Sequence, residues 1–323
     1  MPESPSPATE RVCAVVVTFN RRALLGGCLR SLLAQTRRLD EILVVDNASS
    51  DGTPAMLAAE FPEVRVLRLP ANTGGAGGFH AGMKWAYLEG FDWIWTMDDD
   101  IEMGPETLEV MLKYRAVSDF IHVRKMTPEG PLVWEATWDV SRALPSRFPV
   151  DVGFEAGREW VPMQAGNFEG ALIHRRVVEL AGYPDPRFFF HLDDTLYGFL
   201  ASLKTLVIYV NHFGIRKMVR AQPPSRMVYY LRIRNNFLAF EYLKKAGLKM
   251  SPGLFKVHIC HLALSSFRQI LSSRPGKQTA LQLQAVLQGI LHGWRGRFGP
   301  PPWIGGGTSI DYDAVVGAFR KKG

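Results

Sequence analysis

Three consecutive carboxylates, Asp98-Asp99-Asp100, close an apolar run that begins at Asp92. Like charges this close repel and cost stability unless a cation sits among them. Hard oxygen donors suit Mg2+ or Mn2+, which commonly bridges one or two carboxylates to a substrate phosphate. In an extended segment alternate side chains point to opposite sides. Asp98 and Asp100 are therefore expected to hold the metal, and Asp99 to face a donor sugar or ribose. A solvated acidic turn is the plainer reading of the same residues. A second pair, Asp193-Asp194, follows the aromatic run Phe188-Phe189-Phe190. A carboxylate at the mouth of an apolar pocket can accept a hydroxyl proton, which makes this pair a candidate general base. It would equally cap the helix that follows, or one member would cap while the other works. His212 follows the next strand, where a neutral imidazole would complete a metal shell and a structural histidine is the alternative.

The stretch Asn72-Thr73-Gly74-Gly75-Ala76-Gly77-Gly78-Phe79 reads as a glycine-rich loop opening a helix that runs to about Glu89. Glycine lets the backbone approach a phosphate or sugar closely, and a helix N-terminus favours an anion. The stretch lacks the Gly-Lys-Ser/Thr ending of a Walker loop. It also follows the third strand and not the first, unlike a dinucleotide fingerprint. A simple flexible loop would look the same.

The elements that must position these residues alternate. Buried strands are expected over Val12–Thr18, Glu41–Val45, Val64–Leu69 and Asp92–Met97, with helices over Ala23–Ala34 and Thr53–Glu60 between them. Polar residues collect at the strand ends. This is the pattern of an α/β, doubly wound, mostly parallel sheet with ligands beyond its carboxyl ends. After a mixed stretch, Leu172–Glu179 reads as helical or strand-to-helix, Asp194–Leu203 as a helix and Thr205–Val210 as a last strand. Helical segments follow over Val228–Lys245, Pro252–Leu271 and Ala280–His292. Residues 1–10 read as a flexible tail, 11–213 as the sugar-nucleotide-binding and catalytic domain, and 214–323 as a basic, mainly helical C-terminal region.

The chain has 323 residues, 47% apolar and 11% aromatic, too many for a disordered chain. Three cysteines cannot make a disulfide framework, which points to a reducing, cytoplasmic setting. No run is apolar enough to read as a membrane span. The net charge of +7 averages two unlike parts: residues 1–201 carry −9 and residues 202–323 carry +16. Basic stretches can bind nucleic acid. Here the charges sit among leucines, Phe and Trp at helical spacing, which favours an anionic membrane surface over nucleic acid or a homo-oligomer face. Arg216, Lys217 and Arg220, close after His212, would alternatively serve substrate diphosphates.

The order of these features, with Thr18-Phe19-Asn20 and the run Val44-Val45-Asp46-Asn47-Ala48-Ser49-Ser50-Asp51-Gly52, resembles family 2 glycosyltransferases of the GT-A fold from Val12 to His212. Within that family the Gly-Gly-Phe ending and the triple aspartate are similar to bacterial galactofuranosyltransferases. Phe189-Phe190-His191-Leu192-Asp193-Asp194-Thr195-Leu196-Tyr197-Gly198 resembles their Trp-Asp-Asp-x-x-Tyr-Gly segment, with Leu192 where the family has Trp. Tyr229-Tyr230-Leu231-Arg232-Ile233-Arg234-Asn235 resembles a tyrosine–arginine–asparagine element shared with rhamnosyltransferases. The resemblance implies an inverting transfer with Asp194 as base and a metal on Asp98, Asp100 and His212. It places nucleobase and ribose at Thr18, Asn20, Asp46 and Asn72, the donor near Gly74, Gly75, Gly77, Gly78 and Asp99, and the acceptor near Trp160, Phe168 and Asp193. It implies UDP-galactofuranose as donor, with dTDP-rhamnose as the alternative, and a lipid-linked or glycan acceptor on the inner face of the cell membrane. A catalytically silent sugar-nucleotide- or lipid-binding protein of the same fold is the reading from another class.

Overall fold

Every residue of Val12–Thr18 (β1) is buried, as its β-branched and small side chains require. Val12, Ala14 and Val16 enter one apolar layer, and Cys13, Val15 and Val17 enter the other. The strand is thus covered on both faces. The computed structural model describes residues 10–139, 146–220, 222–272, 276–304 and 310–321. Of the tail expected over residues 1–10, only Glu10 is among them.

In chain order β1 is followed by α1 (Arg22–Leu33), β2 (Glu41–Asp46), α2 (Thr53–Glu60), β3 (Arg65–Arg68), α3 (Gly74–Leu88) and β4 (Trp93–Asp98). Then come β5 (Ile101–Met103), α4 (Thr107–Leu112), β6 (Phe120–Thr127), β7 (Gly130–Leu132), β8 (Ala136–Asp139) and β9 (Ser146–Pro149). Next are β10 (Trp160–Met163), β11 (Ala171–His174), α5 (Arg175–Ala181), α6 (Asp193–Ser202) and β12 (Val207–Lys217). Four helices close the chain: α7 (Arg226–Lys245), α8 (Pro252–Ser272), α9 (Lys277–Trp294) and α10 (Tyr312–Arg320). The main sheet has the order β10-β12-β6-β11-β4-β1-β2-β3. Strands β3, β2, β1 and β4 run parallel to one another, as do β6 and β12. The strand β11, between β4 and β6, runs antiparallel to both, and β10 runs antiparallel to β12. This is the α/β, mostly parallel sheet with C-terminal helices that the alternation implies.

Register decides what meets at the carboxyl edge. Thr18 pairs with Asp46, and Val17 with Asp98, so three of the polar residues singled out above finish adjacent strands side by side.

Two elements differ from expectation. The glycine-rich stretch is not a loop: α3 already begins at Gly74. Gly78, and Gly82 one turn on, lie against the sheet, where a Cβ would stand 2.5 Å from Val17 or 2.3 Å from Val15. They let helix and strand approach closely, a packing role that spacing alone does not separate from phosphate binding. The strand β12 does not stop at Val210. It continues through Lys217, across residue 214, because its far half pairs with β5 and β6. The helices α7, α8 and α9 pack on one another through Tyr229, Ile233, Phe255, Ile259 and Val286. The last helix, α10, returns to α3, where Lys84 pairs with Asp313 and Arg320 with Glu89.

Gly82→Val fills space the β1 side chains already occupy and is expected to lower stability by roughly 1–3 kcal/mol. A urea midpoint equal to that of the parent would remove the packing role.

Candidate functional site

At the carboxyl end of β4 the chain turns through Asp99 and Asp100 before β5. Carboxylate oxygens of Asp98, Asp100 and Glu169 all lie within 4.8 Å of one another there. Burial pushes the Asp98 carboxyl well above the usual range, and Glu169 and Asp100 add to it. Two cations answer this charge. The Lys217 ammonium pairs with Glu169 and lies 3.3 Å from Asp100. Burial opposes its charge, but Glu169 and Asp100 outweigh burial and hold its pKa above the ordinary lysine value. Arg21 Nη1 lies 3.2 Å from Asp99 and 3.1 Å from Asp100. Asp99 turns the other way from the cluster and accepts a hydrogen bond of 2.7 Å from the Thr18 hydroxyl. With Asp99 counted, four carboxylates face two cations. That surplus, and the hard oxygen donor set, fit a divalent cation of the Mg2+ or Mn2+ type held by Asp98, Asp100 and Glu169.

His212 does not join them. It lies within β12, and beyond its partial burial, which lowers its pKa, the charges that act on it are Glu106 and Lys113. Because β12 continues past Val210, the residue it delivers to the acidic cluster is Lys217. The other ligand expectations meet the geometry differently. Asp46 is fully buried. Its Oδ1 accepts the Ser49 N–H, and its Oδ2, 3.6 Å from Arg68 Nε, has no hydrogen-bond partner. Asn20, at a positive φ of 54°, accepts the Ser50 N–H on its Oδ1 and donates its own backbone N–H to the Ser49 hydroxyl. Asn72 caps the Gly74 N–H. Of the four glycines, Gly74, Gly77 and Gly78 are buried and Gly75 is partly open. Phe168 is buried, with its ring centroid 4.7 Å from that of Phe79, so it is a core residue and does not line an open acceptor site. Trp160 begins the edge strand β10, beside Pro162 and Leu206 in a surface groove.

Asp193 and Asp194 open α6, and the chain that brings them there is strained. Phe189, His191 and Leu192 have φ of 66°, 74° and 75°, a region unfavourable for side chains of this size. Every carbonyl from Arg187 to His191 finds a donor. Arg234, fully buried on α7, donates to Arg187 O at 3.1 Å and Phe188 O at 2.8 Å. Its neighbour Asn235 places Nδ2 2.9 Å from Phe190 O and 2.7 Å from His191 O. Phe189 O accepts the Ala76 N–H of α3 at 3.1 Å, where a Cβ on Gly74 would clash with that oxygen at 1.9 Å. The strained segment is thus clamped between α7 and α3.

Both carboxyls are raised above the usual carboxylate range, to different extents. Burial and then the Asp194 charge push the Asp193 carboxyl up to about 8. Burial pushes Asp194 up to about 6, and hydrogen bonds from the Thr195 N–H at 2.6 Å and its hydroxyl at 3.1 Å limit the rise. Asp194 is also the more exposed of the two, and with the lower pKa it is the member that ionises first. Glu169 raises it and Lys125 lowers it, which sets the acidic cluster and this pair within one another's field. Lys125 itself forms a fully buried ion pair with Glu135. Beside that pair stands His122, whose burial keeps it neutral and whose two ring nitrogens have no hydrogen-bond partner.

Glu169, Arg21, the Lys125–Glu135 pair and the clamping role of Arg234-Asn235 escape the sequence reading. Glu169 lies about seventy residues from the triple aspartate, in no motif, and meets it only because β11 is inserted beside β4. The motif around Tyr230 is visible as a motif, but its partners are backbone carbonyls, which leave no trace in side-chain patterns. Asn235→Leu removes the three bonds from its Nδ2 to Phe188, Phe190 and His191, with little change in volume. It is expected to lower stability by about 2 kcal/mol or more and to slow any chemistry at Asp194 further than that loss of folded protein explains. Unfolding and turnover measured on the same sample separate the two effects, and an unchanged turnover per folded molecule would remove the clamp from the site.

Residues 13–126 match the profile of glycosyl transferase family 2. The chain is 34% identical over 195 residues to the galactofuranosyltransferase GlfT1 of Mycolicibacterium smegmatis, covering 58% of this chain and 63% of that protein. It is 30% identical over 116 residues to the N-acetylglucosaminyl-diphospho-decaprenol L-rhamnosyltransferase of Mycobacterium tuberculosis, covering 32% of this chain and 36% of that one. The chain therefore spans just under two thirds of the length of the galactofuranosyltransferases it matches. In structure it is similar to S. aureus TarS 1-349 in complex with UDP, with a TM-score of 0.53 at 15% identity over 97% of this chain and 92% of that one. Over residues 13–126 the chain is thus similar to family 2 glycosyltransferases, it shares its fold with TarS, and over 195 residues it resembles bacterial galactofuranosyltransferases.

Proposed function

We propose that this protein is an inverting glycosyltransferase that moves a sugar from a nucleoside diphosphate to an acceptor hydroxyl. The observation that carries the reading is the meeting of Asp98, Asp100 and Glu169 at the carboxyl edge of the sheet, within the electrostatic reach of Asp194. The similarity to GlfT1 supports galactofuranose from UDP-galactofuranose as the sugar moved, and the rhamnosyltransferase similarity keeps dTDP-rhamnose as the alternative donor. The acceptor proposed is a lipid-linked or cell-surface glycan, met at the inner face of the cell membrane.

In this reading Asp46 and the Thr18–Asn20 turn hold the nucleobase and ribose. The Oδ2 of Asp46, which has no hydrogen-bond partner and only the Arg68 guanidinium at 3.6 Å, is an acceptor suited to the imide N–H of uracil or thymine. Asp98, Asp100 and Glu169 would hold Mg2+ or Mn2+, which when bound offsets the negative charge of a leaving diphosphate. Lys217 and Arg21 are the chain's own cations at that point. Asp194, ionised, takes the proton of the acceptor hydroxyl as its oxygen bonds to the anomeric carbon. The carbon–oxygen bond to the diphosphate breaks on the opposite face, and holding both sugars in line supplies much of the rate. Asp193 fills the start of α6 and stays protonated at neutral pH.

Offered separately with Mn2+ or Mg2+, UDP-galactofuranose is expected to be turned over and dTDP-rhamnose not. The reverse result selects the alternative donor, and turnover of neither overturns the assignment. Asp194→Asn is expected to lower transfer by about 10²–10⁴-fold while calorimetry finds UDP binding unchanged. An active variant would remove Asp194 as base. UDP binding with no transfer by the parent protein would select the silent binding protein. Because the base must be ionised, transfer by the parent is expected to rise with pH through about 6 and then level. A profile flat from pH 5 to 7 would contradict the role.

A further inference from the structure

The membrane placement in that reading leaves open which surface would meet lipid. On α8, Leu254, Val257, Leu264 and Leu271 share one side and are all exposed, Val257 by 60% and Leu271 by 65%. The opposite side, with Phe255, Ile259, Ala263 and Ile270, is buried in the cluster around α7. On α9, Leu287, Leu291 and Trp294 likewise face out, Trp294 by 80%, while Val286, Gly289 and Gly293 are buried. Eight of the nineteen large apolar side chains exposed among the described residues lie on these two helices. Single exposed apolar residues are ordinary, but a concentration on the backs of two neighbouring helices marks a docking surface.

Charge selects the occupant. On α8 the exposed apolar positions fall three, seven and seven apart, a row that would also suit a helix from a second copy. His261 and Arg268 stand in the same row, however, and would meet their own kind across such a contact. Residues 242–310 contain nine Lys or Arg and no Asp or Glu, so the same face of a second copy offers nothing to neutralise it. No helix among the described residues is long and apolar enough to cross a membrane. We propose that the outer face of α8 and α9 lies flat on a bilayer that carries anionic lipid. Leucines and Val257 enter the acyl boundary, Trp294 lies at the interface, and Lys256, Arg268, Lys277 and Arg295 meet the headgroups. The proposal rests on the membrane part of the reading above and is independent of donor and chemistry.

Cys260 lies on this face and is exposed, whereas Cys13 and Cys28 are buried, so a polarity-sensitive dye can be attached there alone. The full chain is expected to sediment with phosphatidylglycerol–phosphatidylcholine vesicles and not with phosphatidylcholine alone, with a blue shift of the dye. The double variant Val257→Glu, Leu287→Glu is expected to weaken sedimentation about tenfold or more, while Leu180→Glu on α5 leaves it unchanged. No sedimentation with anionic vesicles overturns the proposal, as does sedimentation that the double variant leaves intact. A dimer by light scattering that the double variant dissociates, with no vesicle binding, assigns the face to a second copy instead. Donor turnover measured in parallel keeps the readings apart, since its loss with vesicle binding intact would count against the enzyme and not the surface.

Discussion

The arrangement depends most on the hydrogen bonds from Arg234 and Asn235 to the carbonyls of residues 187–191. Three residues with positive φ in that segment cost of the order of 1–3 kcal/mol each, and such a conformation persists only where its surroundings hold it. Here the support is a guanidinium and an amide from α7 on one side, and the first turn of α3 on the other. Both supporting side chains are fully buried, so water does not compete for the same carbonyls. The result is a rigid entry into α6 with Asp193 and Asp194 at its start. The C-terminal helices therefore set the position of the proposed base, although they contribute no side chain to the acidic cluster.

A second constraint is electrostatic. Four carboxylates at one sheet edge are answered, among the described residues, by two paired cations, one from the turn after β1 and one from the end of β12. Such an edge is a poor place for a bare anion and a good place for a divalent cation with a phosphate. The same logic separates the neighbouring acids: burial raises both, the Asp194 charge raises Asp193 further, and the Thr195 hydrogen bonds hold Asp194 lower. Charge is also divided along the chain. The acids concentrate before residue 202, and the helices that follow residue 242 are free of them until Asp311. An acidic donor edge and a basic apolar flank are thus built by different stretches of one chain.

Much of the fold was legible because its signals are local. The all-apolar run Val12–Thr18, the leucine spacing of α1 and the span Thr53–Glu60 correspond closely to elements of the structure. Asp99 leaves the Asp98–Asp100 group where the chain turns after β4, to meet the Thr18 hydroxyl, and not by alternation along an extended strand. Where the reading departed, the deciding contact was remote. The glycines of α3 are needed by Val15 and Val17, sixty residues earlier, and β12 lengthens because β5 is there to pair with it.

Residue types and order alone determined the sheet class, the acidic edge, the paired aspartates and the split in charge, since each is carried by a short run with its own period or composition. Only tertiary structure decided which residues share the site. Strand insertion brought Glu169 to Asp98 and Asp100, the extra length of β12 delivered Lys217 in place of His212, and buried amides of α7 fixed the loop before Asp194. These partners are distant in sequence and meet through register and backbone hydrogen bonds, which a side-chain pattern does not encode.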